Sequence, residues 1–318
     1  MRTRVLGRTG IEVSEIGLGC WGLSGESYGA VSEQDARATL DSAFAEGCTL
    51  VELASCYGPT GHELDRTVGE AVREFGAEKL RVVLRVGVDR AMTPPQKRFD
   101  RSFLMRSVEQ SLERMKLDSV AVVLLHNPLS STLERSFDAL DTLASMRERG
   151  LALAMGVSAG SVQTARVALK QSVDVISLPY NVLFPRMVHA LTPELVRMGV
   201  GVLAHATLGY GVLAGTWHAD REFDKRDHRA SRWEPEDLAR RMRQREVLRP
   251  FVQGAVLDMR EAAVRYVLSN PNVHCALVGA RNAEMAKQNA HAADELPYLD
   301  PAMFSTLGAR LEEEGIMT

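Results

Sequence analysis

The sequence predicts an α/β fold in which eight parallel strands close into a barrel, eight helices surround it, and a small N-terminal hairpin closes the bottom. Short β-rich runs alternate with helical patterns almost throughout, the order of a parallel sheet with crossover helices. Eight such strand and helix pairs can be counted. The runs are mostly too apolar to face water on one side, as expected of strands covered on both faces. A (β/α)8, or TIM, barrel of this kind commonly takes roughly 250 to 400 residues as one domain. The 318-residue chain is therefore read as a single domain over residues 1–318.

Taken in order, Thr3 to Val13 folds about Arg8-Thr9-Gly10 and reads as the closing hairpin. The barrel strands follow as Ile16-Gly-Leu, Leu50-Val-Glu-Leu, Val82-Val-Leu-Arg-Val, Val120 to Leu125, Leu153 to Val157, Val175-Ile-Ser-Leu, Val200 to Ala204 and Ala276-Leu-Val. Between them apolar residues recur at three- and four-residue steps, as in Leu64, Val68, Val72, Phe75 and in Leu133, Phe137, Leu140, Ala144. That period puts one greasy helix face on the sheet. Ser32 with Asp35 marks a helix start by side-chain capping, and Thr192 with Pro193 marks another by a proline in the first turn. A charged stretch from about 216 to 249 reads as a long loop that separates strand seven from its helix, of a length that lids use. Its Arg240, Arg241, Arg243 and Arg245 read as a solvated helix face rather than a nucleic-acid patch.

Composition narrows the function classes. Hydrophobic residues are 45% and charged residues 25% of the chain, the balance of a globular protein with a large core. A net charge of -3 supplies no bulk attraction to nucleic acid or anionic membrane. Apolar runs such as Val120 to Leu125 fall far short of the ~20 residues that cross a bilayer. The N-terminus lacks the apolar core of a secretory signal, so a cytoplasmic protein acting on a small molecule is expected. Cys20, Cys48, Cys56 and Cys275 show no paired spacing and are expected as free thiols. No closely spaced histidine pair suggests a metal, and no hydrolase nucleophile elbow is expected. His62, His189, His218, His228, His274 and His291 read as surface residues.

Parallel barrels carry their chemistry at the carboxyl ends of the strands. There the chain offers Cys20 and Trp21, Glu52 with Tyr57 beyond it, Arg85, His126, Ser158, Tyr180 with Asn181, His205 and Arg281. A lone strand-end histidine is more often structural than catalytic; convergence on one rim is the signal. Trp21 and Tyr28 are candidates for a substrate pocket, as are Phe184, Trp217 and Trp233, each equally open to ordinary packing. Gly209-Tyr-Gly-Val-Leu-Ala-Gly215 and Gly279-Ala-Arg-Asn sit where such barrels bind phosphate with backbone N–H groups and a helix N-terminus. Glycines serving only tight turns are the alternative.

Several stretches together resemble the aldo-keto reductase superfamily from Arg4 to about Leu307. They are Leu6-Gly-Arg-Thr-Gly-Ile-Glu-Val-Ser-Glu-Ile-Gly-Leu-Gly, Tyr57-Gly58, Leu125-His-Asn-Pro, Gly156-Val-Ser, Pro179-Tyr-Asn, Gly211-Val-Leu-Ala-Gly, and Gly279-Ala-Arg-Asn with Asn289. The resemblance implies reduction of an aldehyde or ketone with NADPH, Tyr57 giving the proton and His126 orienting the carbonyl. Where the family carries a lysine and an aspartate, this chain carries Arg85 and Glu52. The sign of each charge is kept, and a cation beside a phenol favours its ionised form. A two-pronged contact with Glu52 could restrain Arg85, although a planar, permanently charged guanidinium is not equivalent to an ammonium.

The resemblance also implies cofactor contacts at Ser158, Ser177, His205, Leu208, Gly209, Gly211, Gly279, Arg281 and Asn289, with Arg281 near a 2′-phosphate. Ala159 and Ser177 stand where the family usually carries amide side chains, and His205 stands where it stacks an aromatic ring. Two other functions use the same residues and stay open. One is a nicotinamide-independent lyase, dehydratase or isomerase; the other is a non-catalytic nicotinamide-binding protein.

Overall fold

A computed structural model describes residues 1–58, 63–135, 138–218, 220–225 and 227–316, so the expectations for His62 and Phe137 fall outside the described residues. Strands β1 (Thr3–Val5) and β2 (Glu12–Ser14) form the hairpin. The barrel then runs through β3 (Ile16–Gly19), β4 (Leu50–Ala54) and β5 (Arg81–Val86). A short antiparallel ribbon, β6 (Val88–Asp89) with β7 (Gln96–Lys97), follows β5. The barrel resumes with β8 (Val120–His126), β9 (Ala152–Ser158), β10 (Val175–Pro179), β11 (Gly201–His205) and β12 (Cys275–Gly279). All eight barrel strands pair in parallel, and β12 returns to β3 to close the sheet. This is the (β/α)8 barrel that the alternating pattern predicts.

Period-two alternation sends every second side chain of a strand into the barrel. Leu50, Val83, Val122, Leu124, Ala154, Val175, Leu203, Cys275 and Leu277 fill the lower interior as one buried cluster. Two residues further along the same faces stand Glu52, Arg85, His126, Ser177, His205 and Gly279, with Ser158 at the end of β9. The inward face thus turns from apolar to polar at the carboxyl end of the strands. Below, Leu6, Ile11 and Val13 of the hairpin join the apolar cluster and plug the amino end. Arg8 N donates to Gly199 O at 2.7 Å. Gly7 adopts φ +53, and a Cβ there would lie 2.3 Å from Gly201 N, so this contact requires glycine.

Around the barrel lie α1 (Glu33–Ala45), α2 (Glu63–Phe75), α3 (Arg101–Met115), α4 (Ser130–Arg135), α5 (Asp138–Glu148), α6 (Val162–Lys170) and α7 (Arg186–Met198). They are followed by α8 (Pro235–Gln244), α9 (Met259–Leu268), α10 (Ala283–His291), α11 (Pro301–Ser305) and α12 (Leu307–Glu313). Ser32 caps α1, its hydroxyl accepting from Asp35 N at 3.0 Å, as its spacing suggests. Thr192 and Pro193 do not start a helix: α7 begins at Arg186 and carries Pro193 inside it. Burial of Val188, Leu191 and Leu195 on one stripe outweighs the missing N–H, and Thr192 Oγ1 donates to Val188 O at 3.0 Å.

The stretch expected as a loop from about 216 to 249 contains α8, which starts on Pro235 with Glu236 and Asp237 in its first turn. Leu238 and Met242, four apart, bury its apolar stripe. Its arginines are not one solvated face. Arg240 and Arg243 are exposed, whereas Arg241 lies over the Phe184 ring at 4.6 Å. Arg245 is buried and donates to Val212 O and Trp217 O. Among the described residues no helix is long and apolar enough to cross a membrane.

Candidate active site

A cavity of 720 Å³ opens at the carboxyl ends of the strands, within the size range of small-molecule and cofactor sites. Trp21, Tyr28, Glu52, Tyr57, Arg85, His126, Ser158, His205, Leu208, Gly211, Gly279 and Arg281 all line it. Tyr57 reaches it from a tight turn after β4, where its N–H donates to Ala54 O at 3.0 Å. Its ring meets that of His126 edge-on, with centroids 6.2 Å apart and planes at 85°.

Glu52 and Arg85 form the floor. Oε1 and Nε lie 2.7 Å apart, and both side chains are buried. The guanidinium N–H is not aimed at the oxygen, so the contact is a charge pair rather than an aligned hydrogen bond. The expected two-pronged contact is not formed. Arg85 instead extends Nη2 to Ser177 Oγ at 3.4 Å. Burial raises the Glu52 carboxyl above its ordinary range against the attraction of Arg85. Burial likewise lifts the Tyr57 phenol well above its usual value, with Glu52 adding to it and Arg85 opposing. The His126 imidazole is held well below its usual range by burial first and then by Arg85 and Lys97. Lys97 Nζ donates to His126 O at 2.6 Å. Cys56 Sγ approaches His126 Nδ1 at 3.9 Å, and burial pushes that thiol up to about 11.

Several expected site residues lie elsewhere. Ser177 is fully buried and does not line the cavity; its hydroxyl meets His205 Nδ1 at 2.9 Å. Asn289 is also buried outside the lining and donates from Nδ2 to Gly279 O at 3.1 Å, anchoring the end of β12. Gly209 supports the turn before Gly211 without lining the cavity. Tyr180 points away, stacking on Tyr266 with its hydroxyl against His189 and Asn270, and Asn181 ties the backbone of the next loop. Cys20 is buried beside the lining rather than in it. Phe184, Trp217 and Trp233 pack against other side chains and leave the aromatic wall to Trp21, Tyr28 and Tyr210.

Other groups escaped the sequence reading. Arg90, paired with Glu26, and Arg229 and Arg232 all line the cavity. Arg229 is held by Asp227 and sits 4.8 Å over Tyr28, while Arg232 covers Tyr210 at 3.7 Å. Arg229 and Arg232 belong to the charged segment of about 216 to 249, whose destination the sequence leaves open, and Arg90 carries no such signal. His189, His218 and His291 are exposed as expected, but His228 and His274 are half-buried. His228 contacts Trp21 and Tyr28, with ring centroids 4.5 and 4.6 Å away. His274 Nδ1 accepts from Val202 N at 3.0 Å.

The residues from Gly156 to Gly160 spell Gly-x-Ser-x-Gly, a pattern the sequence reading passed over. Ser158 ends β9 as a buried strand residue with no left-handed backbone, so it is not the exposed, strained turn that a nucleophile elbow needs.

A model of the aldo/keto reductase family matches residues 15–309. The aldo-keto reductase YhdN from Bacillus subtilis is 26% identical over 280 residues, covering 86% of this chain and 83% of that protein. The L-glyceraldehyde 3-phosphate reductase of Escherichia coli is 28% identical over 315 residues, covering 94% and 89%. Two solved structures share the fold. The holo form of aldo-keto reductase AKR11C1 from Bacillus halodurans has a TM-score of 0.80 at 19% identity, covering 98% of this chain and 96% of that one. Glycerol dehydrogenase AKR11B4 from Gluconobacter oxydans has a TM-score of 0.80 at 22% identity, covering 98% and 95%.

Proposed function

The chain belongs to the aldo/keto reductase family of oxidoreductases, and we propose that it reduces a small aldehyde or ketone with NADPH, Tyr57 giving the proton and His126 orienting the carbonyl oxygen. The observation that carries this reading is the edge-on meeting of Tyr57 and His126 in one cavity above the Glu52 and Arg85 pair.

The residues present fit a nicotinamide dinucleotide. Arg281 holds Gly29 O and Ala30 O through Nη2 at 3.2 and 3.1 Å, while its buried Nε has no partner. A buried, unmatched guanidinium N–H beside the cavity suits a bound anion. Gly211 takes φ +103 in the neighbouring turn, which brings backbone rather than side chain to the cavity wall. Leu208, Gly211, Gly279 and Arg281 would hold the phosphate end, with Ser158 and His205 at the nicotinamide end. When bound, NADPH supplies a hydride to the carbonyl carbon.

The chain's own groups manage the proton. The Tyr57 phenol, kept protonated by burial, holds the proton that the carbonyl oxygen takes, and the side chain is left as phenolate. Arg85 favours that anion, opposing the burial that disfavours it. His126, held neutral, can donate a hydrogen bond to the same oxygen without adding charge to the site.

The test is NADPH oxidation followed by absorbance with a panel of aldehydes and ketones, wild type beside Tyr57→Phe. At least one carbonyl is expected to drive oxidation, with the variant slower by roughly 10²- to 10⁴-fold and still binding NADPH in a fluorescence titration. Product formed without nicotinamide, or equal turnover by Tyr57→Phe, overturns the reading.

A further inference from the structure

Ser177 lies below the cavity, and among the described residues its hydroxyl has two partners, Arg85 Nη2 at 3.4 Å and His205 Nδ1 at 2.9 Å. A guanidinium has donors and no acceptor, so Ser177 Oγ accepts from Arg85. Of its two partners only His205 Nδ1 can take the hydroxyl proton, and donation there is the direction that leaves this buried proton paired. Burial, reinforced by Arg85, keeps the His205 ring neutral. A neutral imidazole that accepts at Nδ1 carries its proton on Nε2. His205 ends β11 and lines the cavity, so its free nitrogen is a donor with a fixed role.

The two positions where the resemblance expects amide side chains carry none. Ala159 has no polar side-chain atom, and Ser177 is out of reach beneath His205. Ser158 and His205 remain as polar side chains beside these positions, with Asn127 against Gly160, while the reductase reading assigns Tyr57 and His126 to the substrate oxygen. We propose that His205 is a positioning residue whose Nε2–H binds the carboxamide oxygen of the nicotinamide ring, through the Arg85, Ser177 and His205 relay; this rests on the reductase reading above. His205 would therefore act by hydrogen bonding where an aromatic ring would act by stacking.

Two measurements test it. Nitrogen-15 NMR of the histidines in the free protein is expected to show His205 protonated on Nε2, and Ser177→Ala to give mixed tautomers. Equilibrium titration then compares NADP⁺ with adenosine 2′,5′-bisphosphate, which lacks the nicotinamide. His205→Phe is expected to weaken NADP⁺ binding roughly 3- to 10-fold, the range of one hydrogen bond, and His205→Gln to retain most of it. Neither variant should change binding of the bisphosphate. A proton on Nδ1, unchanged NADP⁺ binding by His205→Phe, or an equal loss for both ligands overturns the assignment. Wild-type protein that binds neither ligand defeats the NADPH reading itself, while the NMR experiment still reports the relay.

Discussion

The rings of Tyr57 and His126 meet nearly at right angles, 6.2 Å between centroids, and both open onto one cavity. Burial moves the two groups in opposite directions, the phenol well above 10.0 and the imidazole well below 6.5. Both are neutral in the free protein throughout the interval between those values. The kcat/KM for carbonyl reduction is therefore expected to stay flat from about pH 6.5 to about pH 9. A pH profile checks this: an inflection between those limits that vanishes in Tyr57→Phe would show a phenol ionising within the working range.

Removing one member of the Glu52 and Arg85 pair should cost more than removing both. Arg85→Met leaves a buried carboxylate without its counter-charge, and about 3–5 kcal/mol of stability is expected to go. Adding Glu52→Gln should recover part of that loss. Urea denaturation of the two singles and the double measures the difference, and strictly additive losses would mean that the pair does not interact.

His274 makes stability depend on pH. Its folded pKa is lowered to about 4 from 6.5, with burial as the leading cause and Arg4 adding to it. Between those values the unfolded chain binds more protons, so stability rises with pH. The contribution is complete above 6.5 and is lost as pH falls through about 4. Wild-type Tm should drop over that interval more steeply than the Tm of His274→Gln, and identical slopes would rule His274 out as a source.

Glycines at the hairpin separate two kinds of strain. Gly7 and Gly10 both have positive φ, +53 and +73, but only a Cβ at Gly7 would meet backbone, at 2.3 Å from Gly201 N. Gly10→Ala is expected to cost about 1–2 kcal/mol from conformation alone, and Gly7→Ala clearly more. Chemical denaturation compares them; equal losses would mean that the hairpin shifts freely on the barrel.

Much of this site was readable because strand periodicity is local. Leu50 with Glu52, Val83 with Arg85, Leu124 with His126 and Leu203 with His205 each repeat the same step from apolar to polar on an inward face. Ser32 and Asp35 likewise made a cap from neighbours three residues apart. Thr192 and Pro193 misled because a local start signal carries no information about the buried stripe on either side of it.

The sequence by itself determined the eight-strand alternation, the hairpin and the set of polar residues at the strand ends, since each depends on contacts spanning a few positions. Only the tertiary structure decided that Ser177 serves His205 from below, that Arg85 reaches it, and that Arg229 and Arg232 come to a wall shared with Tyr28. Those choices follow from barrel closure and loop packing, which bring side chains tens to hundreds of positions apart within hydrogen-bonding or ring-contact distance. No local pattern of charge or hydropathy encodes such meetings.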